Sequence, residues 1–344
     1  MAFSVIVTIL AFGIMVMLHE AGHFFTAKKF GVTVHEFSIG MGPLIFKWGK
    51  GETQYSLRAI PLGGYVKLEG EEESDNPKAF SNISPVKRIA VLVAGAAMNI
   101  LLGFICFVVI NNMNGAVYST EIYGVVEDSA AYESGLMAGD EIIKLNKTRV
   151  NTYSDVRLFM MECPEEVKVT YKRDGVKNVV TLSPKADETG DLKIGFYPSV
   201  KELGFLGSLE YSYYDTKYVV KAVFMSLKML FTGEAKVSDM SGPVGIVQAV
   251  GDTTDMVQDQ GGDASDLFLI LLNLFGMISV NLGVFNLLPF PALDGGSIIF
   301  AFIELVTKKK LKQEVLGYIN LIGLVLILGL GIFVMFSDVM KMIN

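Results

Sequence analysis

The chain has 344 residues, of which 51% are hydrophobic and only 19% are charged. With a mean hydropathy of +0.45, this composition is too apolar for an ordinary water-soluble domain and indicates a membrane protein. The formal net charge of −7 argues against nucleic-acid binding, because no basic excess is available to neutralise phosphates. Two cysteines, Cys106 in an apolar run and Cys163 in a polar one, predict neither a disulfide framework nor a thiolate zinc site.

Four apolar segments, residues 2–27, 89–110, 267–288 and 315–336, are long enough to cross a bilayer, which takes about 20 helical residues. The first has neither the preceding basic residue nor the cleavage site of a signal peptide, so we interpret it as a retained helix. The short connections after the first and third segments are rich in lysine and arginine, which predicts that both lie in the cytoplasm. The long segment between the second and third spans and both termini are then expected on the extracytoplasmic side.

The connections between the spans contain several predicted elements. Residues 32–65 are punctuated by glycine and proline, and short runs such as residues 54–57 suit strands, which predicts a small hairpin sheet. Residues 118–198 alternate strand-like runs with one helical stretch and predict a soluble α+β domain of about 80 residues. Residues 209–231 predict an amphipathic helix rather than a fifth span, because their lysines would be costly in lipid.

The first span ends in HEAGH at positions 19–23, which is the H-E-x-x-H pattern. Residues four apart share a helix face, so His19 and His23 can direct two imidazoles at one metal ion while Glu20 reaches a water molecule beside it. The alternative is a structural cluster whose members only hydrogen-bond to one another. Because ionisable groups at membrane depth are costly and functional by default, we favour the metal site.

A catalytic zinc site needs a third protein ligand and an open position, and the candidates are His35 and Asp294. Asp294 is preferred because two prolines end the third span before it and two glycines after it let the backbone approach closely. His19 lies about 14 Å from Lys28 along the first span, at the cytoplasmic end that also holds Asp294. Asp294 could instead cap a helix over residues 297–306.

Such a site favours hydrolysis of a peptide bond, since zinc polarises a carbonyl and Glu20 can move a proton from water to the leaving amine. A substrate helix in lipid must first be unwound, because its backbone hydrogen bonds are internal. We expect the strand that includes Gly63, Gly64 and Tyr65 to hold the unwound peptide by strand addition, and the Asn286 amide to bind its backbone. The alternatives are a structural turn and a helix-packing amide.

Several motifs along nearly the whole chain resemble one known family. They are HEAGHFFTAKKFG, FSIGMGPLIF, RAIPLGGYVKLEG, SPVKRIAVLVAGAAMNILLGF, SGPVGI and NLLPFPALDGG. The chain resembles the site-2 protease family of intramembrane zinc metalloproteases, peptidase family M50, and in particular its bacterial sigma-regulating RseP and RasP branch. This resemblance implies that His19, His23 and Asp294 bind one zinc ion and that Glu20 is the catalytic base. It also implies a membrane-associated hairpin near the active site and substrate contact by Asn286.

The soluble insert resembles a single PDZ domain, through GVV at 124–126, SGL at 134–136 and GDEII at 139–143. A PDZ domain offers a groove for an extended peptide and implies selection of substrates by the size of their ectodomain. The AGAAMN run at 94–99 departs from the family's usual Ala-Gly-Pro, which bears on the local geometry of the second span. The implied substrates are single-span proteins of the bacterial cytoplasmic membrane, such as anti-sigma factors, or remnant signal peptides.

The expected fold is an α-helical polytopic membrane protein with four transmembrane helices, a membrane-associated β-hairpin and an inserted α+β PDZ domain. Its expected segments are the first transmembrane helix at 1–28, the cytoplasmic-side hairpin and acidic loop at 29–88, the second helix at 89–111, the PDZ domain at 115–200, the amphipathic helix and SGPVGI connector at 201–265, the third helix at 266–288, the Asp294 segment and basic loop at 289–313, and the fourth helix at 314–337.

The sequence is compatible with three alternative functions. The chain could be a non-catalytic membrane scaffold or chaperone in which the PDZ domain does the binding. It could also be a membrane-anchored protease with a soluble active site and a glutamate as third ligand, although HEAGH lies inside an apolar run. A channel or transporter is less favoured, because no repeated pair of broken helices is visible.

Overall fold

The computed structural model describes residues 2–49, 51–70, 74–162, 164–186 and 192–343. Cys106 is a buried free thiol, and Cys163 lies outside the described residues. The helices are α1 Ala2–Lys29, α2 Pro85–Asn114, α3 Ala130–Glu133, α4 Tyr153–Met160, α5 Phe205–Thr232, α6 Pro243–Asp259, α7 Ala264–Asn286, α8 Asp294–Thr307 and α9 Gln313–Ile343. The strands are β1 Val34–Trp48, β2 Gln54–Leu68, β3 Ala116–Val125, β4 Glu141–Leu145, β5 Thr148–Arg149, β6 Val167–Arg173, β7 Val176–Leu182, β8 Lys185–Ala186, β9 Leu192–Lys193 and β10 Phe196–Glu202.

Among the described residues, four helices are long and apolar enough to cross a bilayer, namely α1, α2, α7 and α9. Only 11% of the most apolar window of α9 is buried, so most of its side chains are available to contact lipid. These helices include the four predicted spans, except that the third was expected to continue to residue 288. It ends at Asn286 because Leu287 is the C-cap and Pro289 follows shortly after. A polytopic membrane protein is therefore the architecture.

The chain divides into two compact units, Met1–Cys106 with Val223–Asn344, and Phe107–Ala222. In the first unit, glycines bring helix backbones into contact. A Cβ on Gly22 of α1 would lie 2.3 Å from the carbonyl oxygen of Ala94, and one on Gly283 of α7 would lie 2.8 Å from that of Ala96. Such small residues let membrane helices approach closely where no hydrophobic force draws them together.

β1 and β2 pair through more segments than a simple hairpin would. Residues 34–39 of β1 pair with residues 64–68 of β2, while residues 36–39 also pair with residues 54–57. Residues 44–48 pair in turn with residues 55–58. Within the described pairings, residues 64–68 therefore form one edge of this sheet. β2 also runs along α1, since a Cβ on Gly13 would lie 2.8 Å from the carbonyl oxygen of Pro61.

The second unit contains an antiparallel sheet with strand order β10-β3-β4-β6-β7, to which β5 adds through β4. Its core includes Ile142 and Leu145 of β4 and Val167 and Val169 of β6, all 1% exposed or less. The alternate burial along β6 is typical of a strand with one face packed and one face in water.

Residues 205–222 of α5 belong to the second unit and make polar contacts within it. Lys221 Nζ lies 2.6 Å from Asp155 Oδ1 of α4. Asn111 Nδ2 donates to Ser212 Oγ at 3.0 Å and to Asp215 Oδ2 at 2.8 Å. Burial raises the pKa of Asp215 to about 6, although the hydrogen bond from Asn111 favours the charged form. As expected, α5 is not one of the candidate spans.

The SGPVGI run begins α6 in the first unit. Pro243 occupies the first helical turn, and Gly242 is the N-cap. Asp338 of α9, 3% exposed, accepts the backbone N–H groups of Gly242 at 2.9 Å and Gly245 at 2.8 Å. A Cβ on Gly242 would lie 2.8 Å from the Asp338 carboxylate, so glycine is needed for this contact. A carboxylate from another helix thus replaces the usual capping side chain.

Candidate metal centre

His19 and His23 lie one turn apart on α1 and direct their imidazoles to the same point. Their Nε2 atoms are 3.1 Å apart, and the rings meet edge to face with centroids 4.7 Å apart. Both side chains are only about a tenth exposed. The helical period of HEAGH therefore brings the two imidazoles together.

Asp294 completes this cluster from α8. Its Oδ2 atom lies 3.2 Å from His19 Nε2 and 3.4 Å from His23 Nε2. The same atom is buried and has no hydrogen-bond partner at a suitable angle within the described residues. Asp294 is the first residue of α8. The N-cap of this helix is Leu293, and no side chain makes a capping hydrogen bond there. The alternative in which Asp294 serves as the N-cap is therefore not what the structure has.

These three donor atoms fit a small divalent ion. A tetrahedral zinc with bonds of about 2.0 to 2.1 Å separates its ligand atoms by about 3.3 Å, and the three observed distances run from 3.1 to 3.4 Å. Two imidazole nitrogens and one carboxylate oxygen are also a donor set that suits zinc. The other candidate, His35, is exposed and hydrogen-bonds Glu69 through Nε2 at 2.5 Å, away from the cluster.

The connection before α8 sets the position of Asp294. A Cβ on Gly295 would lie 2.0 Å from the carbonyl oxygen of Leu288, and one on Gly296 would lie 2.5 Å from that of Phe290. The two glycines after the aspartate are therefore required by this tight turn, as the sequence predicted. From α9, Asn320 Oδ1 accepts the backbone N–H of Ala292 at 3.2 Å.

α2 contributes contacts that the sequence did not predict. His23 Nδ1 lies 2.9 Å from the carbonyl oxygen of Val91, which fixes Nδ1 as the protonated nitrogen and leaves the Nε2 lone pair for a metal. A Cβ on Gly95 would lie 2.4 Å from His23 Nε2 and 2.9 Å from His19 Cε1. A backbone carbonyl has no sequence signature, and Gly95 is simply one small residue among several in AGAAMN.

α2 is also joined to α8 by a buried ion pair. Arg88 Nη2 bonds Glu304 Oε2, and both side chains are largely buried. Glu304 Oε1 also accepts the backbone N–H of Leu311 at 3.1 Å. Through this pair the helix that begins with Asp294 is fixed to the helix that supports the histidines.

The predicted substrate-contact residues differ in their surroundings. Glu20 lies beside the backbone of Val66, and a Cβ on Gly64 would lie 3.7 Å from Glu20 Cγ. The strand edge therefore passes next to Glu20. The Tyr65 hydroxyl instead accepts a hydrogen bond from Arg58 Nη2 at 2.7 Å, and Gly63 takes a φ of +94°. Asn286 ends α7, is half-buried, and makes no side-chain hydrogen bond within the described part of the chain.

Comparison with known proteins agrees with this geometry. The sequence model of peptidase family M50 matches residues 7–330 of this chain. A candidate zinc metalloprotease of Clostridium acetobutylicum is 37% identical over 346 residues, covering 99% of each chain. The zinc metalloprotease RasP of Bacillus licheniformis is 28% identical over 98% of this chain and 99% of its own. The regulator of sigma-W protease RasP of Bacillus subtilis is also 28% identical, with the same coverage of both chains.

The family match spans most of the chain, and the relatives are matched from end to end. Together with the four apolar helices and a donor set that suits zinc, this settles the class of enzyme. The chain belongs to peptidase family M50, the site-2 protease family, and is a zinc metalloprotease of that membrane-integral type.

Proposed function

We propose that this metalloprotease cleaves single-span membrane proteins within the bilayer, using His19, His23 and Asp294 as zinc ligands and Glu20 as the base. The observation that carries the proposal is the convergence of three donor atoms from α1 and α8 at distances of 3.1 to 3.4 Å. The buried Oδ2 of Asp294 supports it, because it accepts no well-angled hydrogen bond from its imidazole neighbours, and a buried carboxylate oxygen without a hydrogen bond is costly unless a cation binds it.

In this mechanism the ligands and the base have separate tasks. The two imidazoles and the Asp294 carboxylate would hold zinc, which when bound would polarise the scissile carbonyl and lower the pKa of water. Glu20 takes a proton from the water molecule that attacks the carbonyl carbon. As the carbon–nitrogen bond breaks, Glu20 delivers that proton to the leaving amine.

The strand segment that includes Gly64 and Val66 is proposed to hold the unwound substrate. Its support is the proximity of these two residues to Glu20 together with their position at one edge of the described pairings. An extended peptide added to this edge would satisfy its backbone groups where lipid cannot. Gly63 and Tyr65 are proposed to shape this edge, and Asn286, whose amide is free to bind, is proposed to contact the substrate backbone.

We further propose that the second unit is a single PDZ domain that filters substrates on the extracytoplasmic side. The five-stranded path and the packing of α4 beside it support this proposal, since Tyr153 of α4 contacts Phe196 of β10 edge to face. The name of the Bacillus subtilis relative, regulator of sigma-W protease, supports anti-sigma-factor-like proteins as substrates. Remnant signal peptides are a second substrate class with the same single-span chemistry.

The test is zinc per chain, measured by elemental analysis on detergent-purified protein, together with cleavage of a model single-span substrate. Glu20→Gln should keep zinc and lower cleavage by about 100- to 10,000-fold, while Asp294→Ala should lose both. Glu314→Gln and Asp259→Ala, which alter exposed carboxylates, are the matched controls and should match the wild type. Retained zinc and cleavage in Asp294→Ala would contradict the ligand assignment. Substrate binding without zinc or cleavage would favour the non-catalytic scaffold.

The substrate role of Asn286 has its own test. Asn286→Ala should lower kcat/KM by about 3- to 10-fold, as expected for one lost hydrogen bond, with zinc content unchanged. Asn273→Ala, which removes an exposed amide from the same helix, is the control. An unchanged kcat/KM in Asn286→Ala would leave this amide with a packing role only.

A further inference from the structure

Asn99 of α2 is completely buried beside the proposed metal ligands. Its exposed fraction is 0%, and its Nδ2 atom lies 3.4 Å from Nδ1 of His19. Its Oδ1 atom is buried without a hydrogen-bond partner within the described residues. The backbone of Asn99 is held separately, because Ser279 Oγ of α7 donates to its carbonyl oxygen at 2.8 Å. The side-chain amide therefore has His19 as its polar neighbour.

The position of this amide matters because the two imidazoles need the same protonation state. An imidazole that binds a metal through Nε2 carries its proton on Nδ1, and that proton needs an acceptor. His23 has one in the carbonyl oxygen of Val91, at 2.9 Å. At the corresponding nitrogen of His19 lies the Asn99 amide.

An amide can serve this nitrogen in either tautomer of His19. It has two N–H donors on one side and an oxygen acceptor on the other, and a half-turn about its last side-chain bond exchanges them. In the structure the nitrogen side faces His19 Nδ1 and the oxygen is unsatisfied. With the oxygen side turned to His19, the unsatisfied acceptor would gain the Nδ1 proton, and Nε2 would keep its lone pair for the cluster.

We propose that Asn99 is a positioning residue for His19, whose Nδ1–H it accepts through its side-chain oxygen when Nε2 binds zinc. This inference rests on the proposed ligand role of His19. An amide suits the position because it can accept this proton through its oxygen without itself ionising. Asn99 belongs to the AGAAMN run, and this role gives that part of the second span a direct task at the metal centre.

The first test measures the zinc dissociation constant of the full-length protein by competition with a chelator. Asn99→Leu has a similar shape and no acceptor, and should weaken zinc binding by about 10- to 100-fold, as loss of a ligand's supporting hydrogen bond does. Asn99→Asp keeps an acceptor and should stay within about threefold of the wild type or bind more tightly. Ser279→Ala removes the hydrogen bond to the Asn99 backbone but keeps the amide, and should also stay within about threefold.

The second test detects the hydrogen bond directly by NMR of zinc-loaded protein labelled with 15N at histidine. The chain has only three histidines, so the signals can be assigned with single substitutions. In the wild type, the Nδ1-bound protons of His19 and His23 should both be shifted downfield and protected from exchange with solvent. In Asn99→Leu the His19 proton should lose both features, while the His23 proton, held by Val91, should keep them. An unchanged His23 signal also reports that α1 and α2 remain packed.

The outcomes separate this inference from the proposed function. If His19→Ala binds zinc like the wild type, the ligand assignment itself is wrong. If His19→Ala loses zinc but Asn99→Leu keeps wild-type affinity and an unchanged His19 signal, only the role of Asn99 is overturned. Binding by Asn99→Asp as weak as that of Asn99→Leu, or an unprotected His19 Nδ1 proton in the wild type, would overturn it as well.

Discussion

Leu145 in the second unit is fully buried, whereas Leu328 on α9 is 56% exposed. The same residue type is thus placed inside in one region and outside in the other. In the second unit, burial of leucine, isoleucine and valine between a sheet and its helices removes apolar surface from water. On α9 the exposed leucines face the region where lipid replaces water, so burying them would bring no comparable gain.

The first unit has an apolar cluster of its own around Phe24 and Val34, but at its closest helix contacts it buries small and polar residues. Gly22, Gly95 and Gly283 lie where a Cβ would collide with a neighbouring helix, and His19 and Asn99 are buried beside them. The metal centre of the first unit and the core of the second should therefore respond to opposite changes. Adding one methyl group should harm the metal centre most, and removing methyl groups should harm the core of the second unit.

The largest effect is expected for Gly95→Ala. The new Cβ would lie 2.4 Å from His23 Nε2 and 2.9 Å from His19 Cε1, so the imidazoles must move, and a displacement of about 1 Å can cost about 100-fold in rate. Zinc affinity and substrate cleavage should both fall by about 100-fold or more. Gly329→Ala, where a Cβ would meet nothing within 4 Å, is the control. Zinc binding by Gly95→Ala with the wild-type affinity would show that the metal centre tolerates added bulk at this contact.

Leu145→Ala tests the opposite sensitivity. Removal of a fully buried side chain should lower the unfolding free energy of the second unit by about 2 to 5 kcal/mol. Hydrogen exchange of the β4 and β6 amides in the full-length protein measures this loss. Zinc per chain should stay unchanged. A loss of zinc would show that zinc binding in the first unit depends on the stability of the second.

Asp215 should make the stability of the second unit depend on pH. Its pKa is raised from 3.8 to about 6 by burial, so the folded state binds the proton more tightly than the unfolded state does. The contribution of this group to the unfolding free energy is fully present below about pH 4 and is lost as pH rises through about 6. It amounts to at most about 3 kcal/mol. Asp215→Asn should flatten the pH dependence of hydrogen exchange in α5 over this range. Glu127→Gln, at an exposed carboxylate, should leave the slope as it is.

The smallest effect is expected for Leu328→Ala, the counterpart of Leu145→Ala. Because Leu328 is more than half exposed, its truncation should change stability by less than about 0.5 kcal/mol. Thermal unfolding in detergent and cleavage activity are the measurements. A loss as large as that of Leu145→Ala would show that this face of α9 contacts protein rather than lipid.

Part of this organisation could be predicted from the sequence. HEAGH placed His19 and His23 on one helix face, and the proline and glycine pattern around Asp294 indicated a tight turn at the end of α7. Helical periodicity and turn chemistry act over a few residues, so they are visible in a single sequence. The length and apolar character of the spans were predictable for the same reason.

The contacts from α2 could not be predicted. Val91 acts through a backbone carbonyl, and Gly95 and Asn99 acquire their roles only when α2 lies against α1. The sheet shows the same limit. Residues 54–57 and the segment that includes Tyr65 were expected as strands, but local pattern did not reveal that residues 36–39 pair with both. These features depend on approaches between distant segments, which no local pattern encodes.

The contact of Asp338 with the N-terminus of α6 bears on how the protein is made. Gly242 precedes Asp338 by 96 residues, so ribosomes complete α6 well before the carboxylate that caps it exists. Until α9 has been synthesised, the N–H groups of Gly242 and Gly245 can only bond to water or to other groups. Packing of α9 then supplies one carboxylate to both groups, which makes this contact a late step of biogenesis that joins two helices made at different times.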